Sequence, residues 1–276
     1  MSKSNNKISV IEPSKKFSFI NLREIYQYKD LLWTLVERDI KVRYKQTVIG
    51  GLWAILQPFL TMIIFTIFFG SVAKISSEGT PYAIFSYSGL ILWTYFTSAL
   101  GGGSGSLIGN KQLVSKVYFP RLIIPLSKTI VGLLDYAVAL IVVFGLMIYF
   151  KFVPTLNLLL LPIILFLTWL LVSGLSFWLS AFNVKYRDVR YAVPFFIKML
   201  LFITPVIYPI SMVGKYSWLL KLNPMTGLIE AHRAVILAHQ PIDWGLLGIS
   251  SVLILLIFVT GGLYFKSVEK YFADII

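Results

Sequence analysis

The sequence predicts an all-α membrane protein with six transmembrane helices. An N-terminal amphipathic interface helix precedes them, and short re-entrant extracytoplasmic helices precede the last span. Three observations carry this. Of 276 residues, 57% are hydrophobic and 13% charged, with a mean hydropathy of +0.80, whereas soluble domains hold roughly half apolar and about a quarter charged residues. The apolar residues gather into runs long enough to cross about 30 Å of hydrocarbon at about 1.5 Å per residue. The stretch ERDIKVRYKQTVIGGLWAILQP, Glu37 to Pro58, passes abruptly from dense mixed charge into an apolar run that continues without a charge to Val72.

Other classes fall away on composition. The basic residues behind the net charge of +13 lie between apolar runs instead of on one soluble module, so they read as orientation signals, and no nucleic-acid partner is expected. No alternating segments of a membrane barrel occur. The absence of Cys removes disulfides, cysteine-ligated metal and thiol chemistry.

Residues 1–27 are polar and basic (Lys3, Lys7, Lys15, Lys16, Arg23). They lack the apolar core of about seven to fifteen residues that a signal peptide needs, and read as a cytoplasmic tail. Residues 28–52 form the interface helix. Trp33, Val36, Ile40 and Tyr44 share one face, while Glu37–Lys41 and Asp39–Arg43 are acid-before-base pairs one turn apart. Such a helix lies in the interface plane. Its ions, Glu37, Arg38, Asp39, Lys41, Arg43 and Lys45, are more than an anchor requires and point to a cytoplasmic partner.

Residues 53–266 form the membrane domain, with spans at about 53–72, 84–103, 129–150, 156–182, 191–210 and 244–265; 267–276 form a C-terminal tail. Lys and Arg concentrate in the N-terminal segment, in the second connection (Lys111, Lys116, Arg121, Lys128) and in the fourth (Lys185, Arg187, Arg190). By the positive-inside rule both termini are cytoplasmic in a cell (inner or plasma) membrane.

Gly101, Gly105 and Gly109 are spaced for close helix approach. Neither GxxxxGK[ST] nor GxGxxG is completed anywhere, so the chain carries no nucleotide site and no catalytic residue of its own. In the segment after these glycines, Lys111, Lys116 and Arg121 mix with Leu113, Val117, Tyr118 and Phe119 around Pro120, as a short docking helix would. Asp135 and Lys198 are the charges inside the spans; each needs protein, water or the headgroup region beside it. Arg187 and Asp188 emerge at the cytoplasmic surface, and Pro194, Pro205 and Pro209 break the fifth span.

Between residues 211 and 243 the chain is too apolar for a loop and too interrupted to span. Asn223 and Pro224 read as a helix cap and first-turn proline, and with Trp218 before them and Glu230 and Arg233 after them they outline two short helices dipping into the outer leaflet. His232 and His239, seven apart, are taken as interfacial or solvated, with no metal site.

At this point the residues match a known family. RDIKVRYKQTVIGGLWAILQP, YRDV followed by the proline-broken helix through TPVIYP, and LNPMTGLIEAHR resemble the permease subunits of ABC-2 type transporters, in particular those that export lipid-linked polysaccharides such as O antigen, capsule or teichoic acid. The likeness implies a half-transporter: a homodimer engaging two separate ABC ATPase subunits, which would bind ATP and Mg, with membrane lipid around it and a lipid-linked glycan as substrate. It makes the ions of Glu37 to Lys45 an ATPase interface, joined by Lys111, Lys116 and Tyr118 of a coupling helix and by Arg187 and Asp188. It makes Trp218, Asn223, Pro224, Glu230 and Arg233 an external gate. Flat aromatic faces let a hydrated sugar chain slide, so Tyr82, Phe85, Tyr87, Trp93, Tyr95 and Phe96 are expected to line a channel. Two alternatives stand beside this reading: an ABC-2 permease for a drug or small lipid, and an autonomous channel or secondary transporter, which should show intramembrane coupling charges and internal repeats.

Overall fold

A computed structural model describes residues 22–45, 50–238 and 241–275. Among them every regular element is helical. Helix α1 (Leu22–Gln27) and α2 (Lys29–Lys45) precede α3 (Trp53–Phe65), which a 3-10 turn, Gly50–Leu52, leads into and a π-helical stretch, Thr66–Val72, prolongs. Then come α4 (Tyr82–Ser104), the short α5 (Ser106–Gly109) and α6 (Lys111–Lys116), the long α7 (Ile123–Tyr149) and α8 (Leu161–Lys185), and α9 (Val189–Ile203). Helices α10 (Ser217–Lys221) and α11 (Pro224–Leu237) lead to α12 (Trp244–Val268) and a final turn, α13 (Phe272–Ile275).

Among the described residues five helical runs, not six, are long and apolar enough to span: Gly50–Val72, Tyr82–Ser104, Ile123–Tyr149, Leu156–Lys185 and Trp244–Tyr271. The expected fifth span, 191–210, is the 15-residue helix α9, roughly 22 Å long at 1.5 Å per residue. It stops because Pro205 drives Thr204 into an extended conformation (ψ 134°). The third span starts earlier than expected, at Ile123 instead of Thr129. Pro125 sits in its first turn, where a missing N–H costs nothing.

Helix α4 is the axis of the bundle. It is the least apolar of the five spans yet 78% of its most apolar window is buried, against 11% for the first span. A helix wrapped by protein can carry small and polar residues that a lipid-facing helix cannot. Its phenols are satisfied by neighbouring backbone: Tyr82 donates to the Ile207 carbonyl (2.7 Å), Tyr87 to Ala139 (3.3 Å) and Tyr95 to Thr129 (3.3 Å). In hydrocarbon such groups need internal partners.

Close helix approach occurs at other glycines than those singled out by spacing. Gly101 and Gly109 have open space at the Cβ position and Gly105 meets only the Gly101 carbonyl. The tight crossing is α8 on α12, where a Cβ on Gly174 would lie 2.6 Å from the Phe258 Cα and a Cβ on Gly261 would collide with the Gly174 carbonyl. Gly174→Ala is expected to destabilise by about 1–3 kcal/mol, the usual range for overpacking, measured by thermal unfolding in detergent. Gly101→Ala serves as the neutral control, and equal melting of the two variants would refute the crossing.

Candidate functional site

A second hydrophobic cluster, separate from the one around α4, builds a pad at one end of the bundle. Leu35 of α2, Leu107 and Val114 of α5 and α6, Phe119 before α7, Ile123 and Leu126 of α7, Phe177 of α8 and Phe265 of α12 pack together there. The pad is closed by Phe272, 2% exposed and 5.1 Å from Phe265. Arg121 donates its backbone N–H to the Glu269 carboxylate (2.8 Å) and its guanidinium to the Glu269 carbonyl. Lys266 pairs with the same carboxylate at 2.8 Å and lies 3.8 Å from Glu24. The end of the chain is thereby bound to α1 and to the segment before α7.

Helix α2 turns a different stripe to the protein than its apolar pattern indicates. Leu35 and Val36 are buried but Trp33 is 60% exposed. The inward stripe continues through Asp39 and Arg43, one turn apart each time. Asp39, 11% exposed, pairs with Lys128 of α7 (2.8 Å) and with Arg38 (2.9 Å), and Arg38 also donates to the Asn110 side chain (3.0 Å). Arg43 pairs with Asp135 of α7, and the Tyr44 phenol donates to the same carboxylate. Burial first, then this hydrogen bond, pushes the Tyr44 phenol up to about 12, so it stays a proton donor at neutral pH. The apolar residues of α2 alone do not show this, because two of its ions, Asp39 and Arg43, face partners on α7.

The outward ions behave differently. Glu37 and Lys41 form a 2.5 Å pair with about two-thirds of each side chain exposed, and the Lys41 ammonium holds the Glu37 carboxyl below its usual range. Lys45, Lys111, Lys116 and Tyr118 are exposed. Between α2 and α6 a surface groove of about 580 Å³ brings Arg38, Lys111 and Lys116 together over the apolar wall of Ile108, Leu113 and Val117. Arg187 and Asp188 are exposed on the turn between α8 and α9 and do not line that groove.

At the opposite end, α11 clamps the broken end of α9. Asn223 caps α11 by accepting from the Met225 N–H (3.1 Å) and donates to the Thr204 hydroxyl (2.8 Å). Pro224 takes the first helical position. Arg233, 4% exposed, donates to the carbonyls of Pro205 (3.1 Å) and Val206 (3.0 Å), pairs with Glu230 (2.9 Å) and lies 3.8 Å from the centre of the Phe85 ring. Prolines free carbonyls that need donors, and an arginine in an apolar helix needs partners; together those two needs are the signal that could have joined Arg233 to Pro205. Burial raises the Glu230 carboxyl and Arg233 opposes it.

His232 is not interfacial. It is fully buried and bonded to the Tyr136 phenol at 2.7 Å, and burial pushes it down to about 3, so it is neutral at physiological pH. His239 lies outside the described residues. No metal-binding cluster occurs among the described residues. Trp218 on α10 is 58% exposed, apart from the clamp. Tyr82, Phe85, Tyr87, Trp93, Tyr95 and Phe96 are all buried to 8% exposure or less within the bundle core. Phe85 borders the cavity beside Glu230 and Arg233, and Tyr95 the one beside Asp135. Lys198 is exposed on α9.

A helical chain with five apolar runs long enough to span, an ion-bearing helix docked along its bundle and a charged groove beside it has the form of a membrane permease. Residues 30–237 match the model of the ABC-2 type transporter family, and the chain belongs to it. Within that family it is similar to the O-antigen export system permease protein RfbA of Myxococcus xanthus, 30% identical over 257 residues that cover 92% of this chain and 98% of that protein. A Klebsiella pneumoniae protein of the same name is 28% identical over 90% of this chain and 95% of its own length. The polysialic acid transport protein KpsM of Escherichia coli is 23% identical over 72% and 78%.

Proposed function

We propose that this chain is the permease of an ATP-driven exporter of lipid-linked polysaccharide, of O-antigen, capsule or teichoic-acid type. Two copies pair in the cell membrane with both termini cytoplasmic, and two separate ATPase subunits bind ATP and Mg and drive them. The chain-long similarity to polysaccharide permeases supports the substrate class. The observation that carries the mechanism is the groove between α2 and α6, where Arg38, Lys111 and Lys116 border an apolar wall. An acidic, apolar segment of an ATPase fits such a surface. Because α2 is fixed to α7 through Asp39–Lys128 and Arg43–Asp135, a push on the groove is transmitted to a spanning helix as a rigid-body movement.

Expression of the chain with the ATPase encoded beside it should give a two-plus-two complex that restores surface polysaccharide to a strain lacking this permease. Lys111→Glu combined with Lys116→Glu is expected to weaken ATPase association by about tenfold or more through like-charge contact. Its melting should stay within about 0.5 kcal/mol of wild type, as for other exposed substitutions. Co-purification of the ATPase at wild-type yield with the double variant would remove the groove from the interface.

A further inference from the structure

A cavity of about 460 Å³ lies between the end of α2, the first turns of α3, and the facing halves of α4 and α7. That volume falls within the roughly 300–1,000 Å³ of small-molecule sites. Its wall joins two kinds of group. Trp53, Tyr95 and Tyr136 supply aromatic surface, and Gln57, Thr94 and Ser98 supply an amide and two hydroxyls. The phenols of Tyr95 and Tyr136 are engaged elsewhere, with the Thr129 carbonyl and with His232, so these residues offer the cavity ring surface. Arg43 and Asp135 close one side as an ion pair.

We propose that this cavity receives an uncharged sugar unit of the exported glycan, the one nearest the lipid carrier. The inference rests on the reading of the chain as a polysaccharide permease and adds a site to it. Charge balance selects the ligand. Arg43 is the cation of the wall and is neutralised by Asp135, so a phosphate entering here would meet a carboxylate with no cation to spare. An acyl chain would leave an amide, two hydroxyls and an ion pair against hydrocarbon, each at a desolvation cost. A sugar satisfies both halves of the wall: its ring hydrogens lie on aromatic surface, and its hydroxyls donate to Asp135 and exchange hydrogen bonds with Gln57, Thr94 and Ser98. Position supports the choice of sugar. Beyond the cavity α3 and its π-helical extension carry the exposed Leu60, Ile64 and Ile67, so a lipid tail can stay in the bilayer along this helix while the first sugar turns inward.

The test uses the whole permease–ATPase complex in cells that make the glycan. A benzoylphenylalanine photo-cross-linker replaces Ser98 in one variant and Gln57 in a second, with the exposed Ile148 as control site; Gln57 lies at the surface and keeps the test readable if the change at Ser98 prevents folding. Irradiation is expected to give a glycan-bearing permease band at Ser98 or Gln57 in at least about tenfold the yield at Ile148, the margin of a specific site. The glycan should remain on the protein after mild acid, which hydrolyses a glycosyl phosphate. Loss of the glycan in acid would place lipid or phosphate in the cavity and overturn the proposal, as would no adduct above the control at either position. Failure of the unmodified chain to restore surface polysaccharide is a separate result, and that one defeats the exporter reading itself.

Discussion

Arg233→Met is expected to destabilise the membrane domain by about 3–5 kcal/mol, the loss seen when one partner of a buried ion pair is removed. The size follows from what Arg233 does at once: it neutralises Glu230 at 2.9 Å and supplies hydrogen bonds to the carbonyls of Pro205 and Val206. Methionine fills much of the volume against Phe85 and leaves a carboxyl and two carbonyls without their donor. The loss should depend on pH. Burial already raises the Glu230 carboxyl in the folded protein, and removing Arg233 takes away the main force lowering it. A carboxyl with a raised folded pKa costs nothing at a pH low enough to protonate it in both states. Stability is lost as pH rises above its unfolded value, where the unfolded chain ionises and the folded one resists. Arg233→Met should therefore be closer to wild type at pH 5 than at pH 8, and Arg233→Met with Glu230→Leu should recover much of the difference. Denaturation in detergent at the two pH values measures this. A variant within about 0.5 kcal/mol of wild type at pH 8, the range of an unimportant surface change, would show that Arg233 does not clamp α9.

The fold class was legible because hydropathy is a property of segments: among the described residues every regular element is helical and five runs are long and apolar enough to span. What was not legible is what depends on the partner of a segment. Pro125 and Pro205 are the same residue type inside apolar runs. One opens α7, since it falls in a first turn, and the other ends α9, since it forces Thr204 out of the helical region. Only the surrounding helices decide between those outcomes. The glycine spacing at Gly101, Gly105 and Gly109 is compatible with close packing, but the crossing forms at Gly174 and Gly261, where α8 and α12 meet. The aromatic run of α4 is expected from the sequence to line a channel, whereas here its side chains are buried and α4 is the bundle axis. The sequence assigns the ions of α2 one common role, while their division into Asp39 and Arg43, paired with α7, and Glu37 and Lys41, paired with each other in solvent, required the position of α7.

That division yields the second large effect. Arg43→Asp and Asp135→Arg are each expected to reduce polysaccharide export by more than about tenfold, because each sets like charges in contact where α2 meets α7 and an interaction with a charged group is worth about 1.5–3 kcal/mol. Asp135 lies twelve residues into α7, roughly 18 Å along the helix at 1.5 Å per residue, and a carboxylate left there without its cation is unfavourable. Arg43 is 40% exposed and Asp135 18% exposed, so loss of the partner should weigh more on Asp135 than on Arg43. Arg43→Ala should accordingly impair export more than Asp135→Ala, since the first leaves the carboxylate alone and the second leaves a cation that can turn to water. Combining Arg43→Asp with Asp135→Arg restores opposite charges across the same contact and should recover export to within a few-fold of wild type. ATPase activity read alongside separates coupling from assembly. If the contact transmits force, the single variants hydrolyse ATP in the complex without delivering polysaccharide, and the swap rejoins the two activities. A swap as inactive as either single change, with the complex intact, would remove the Arg43–Asp135 contact from the coupling proposed for α2.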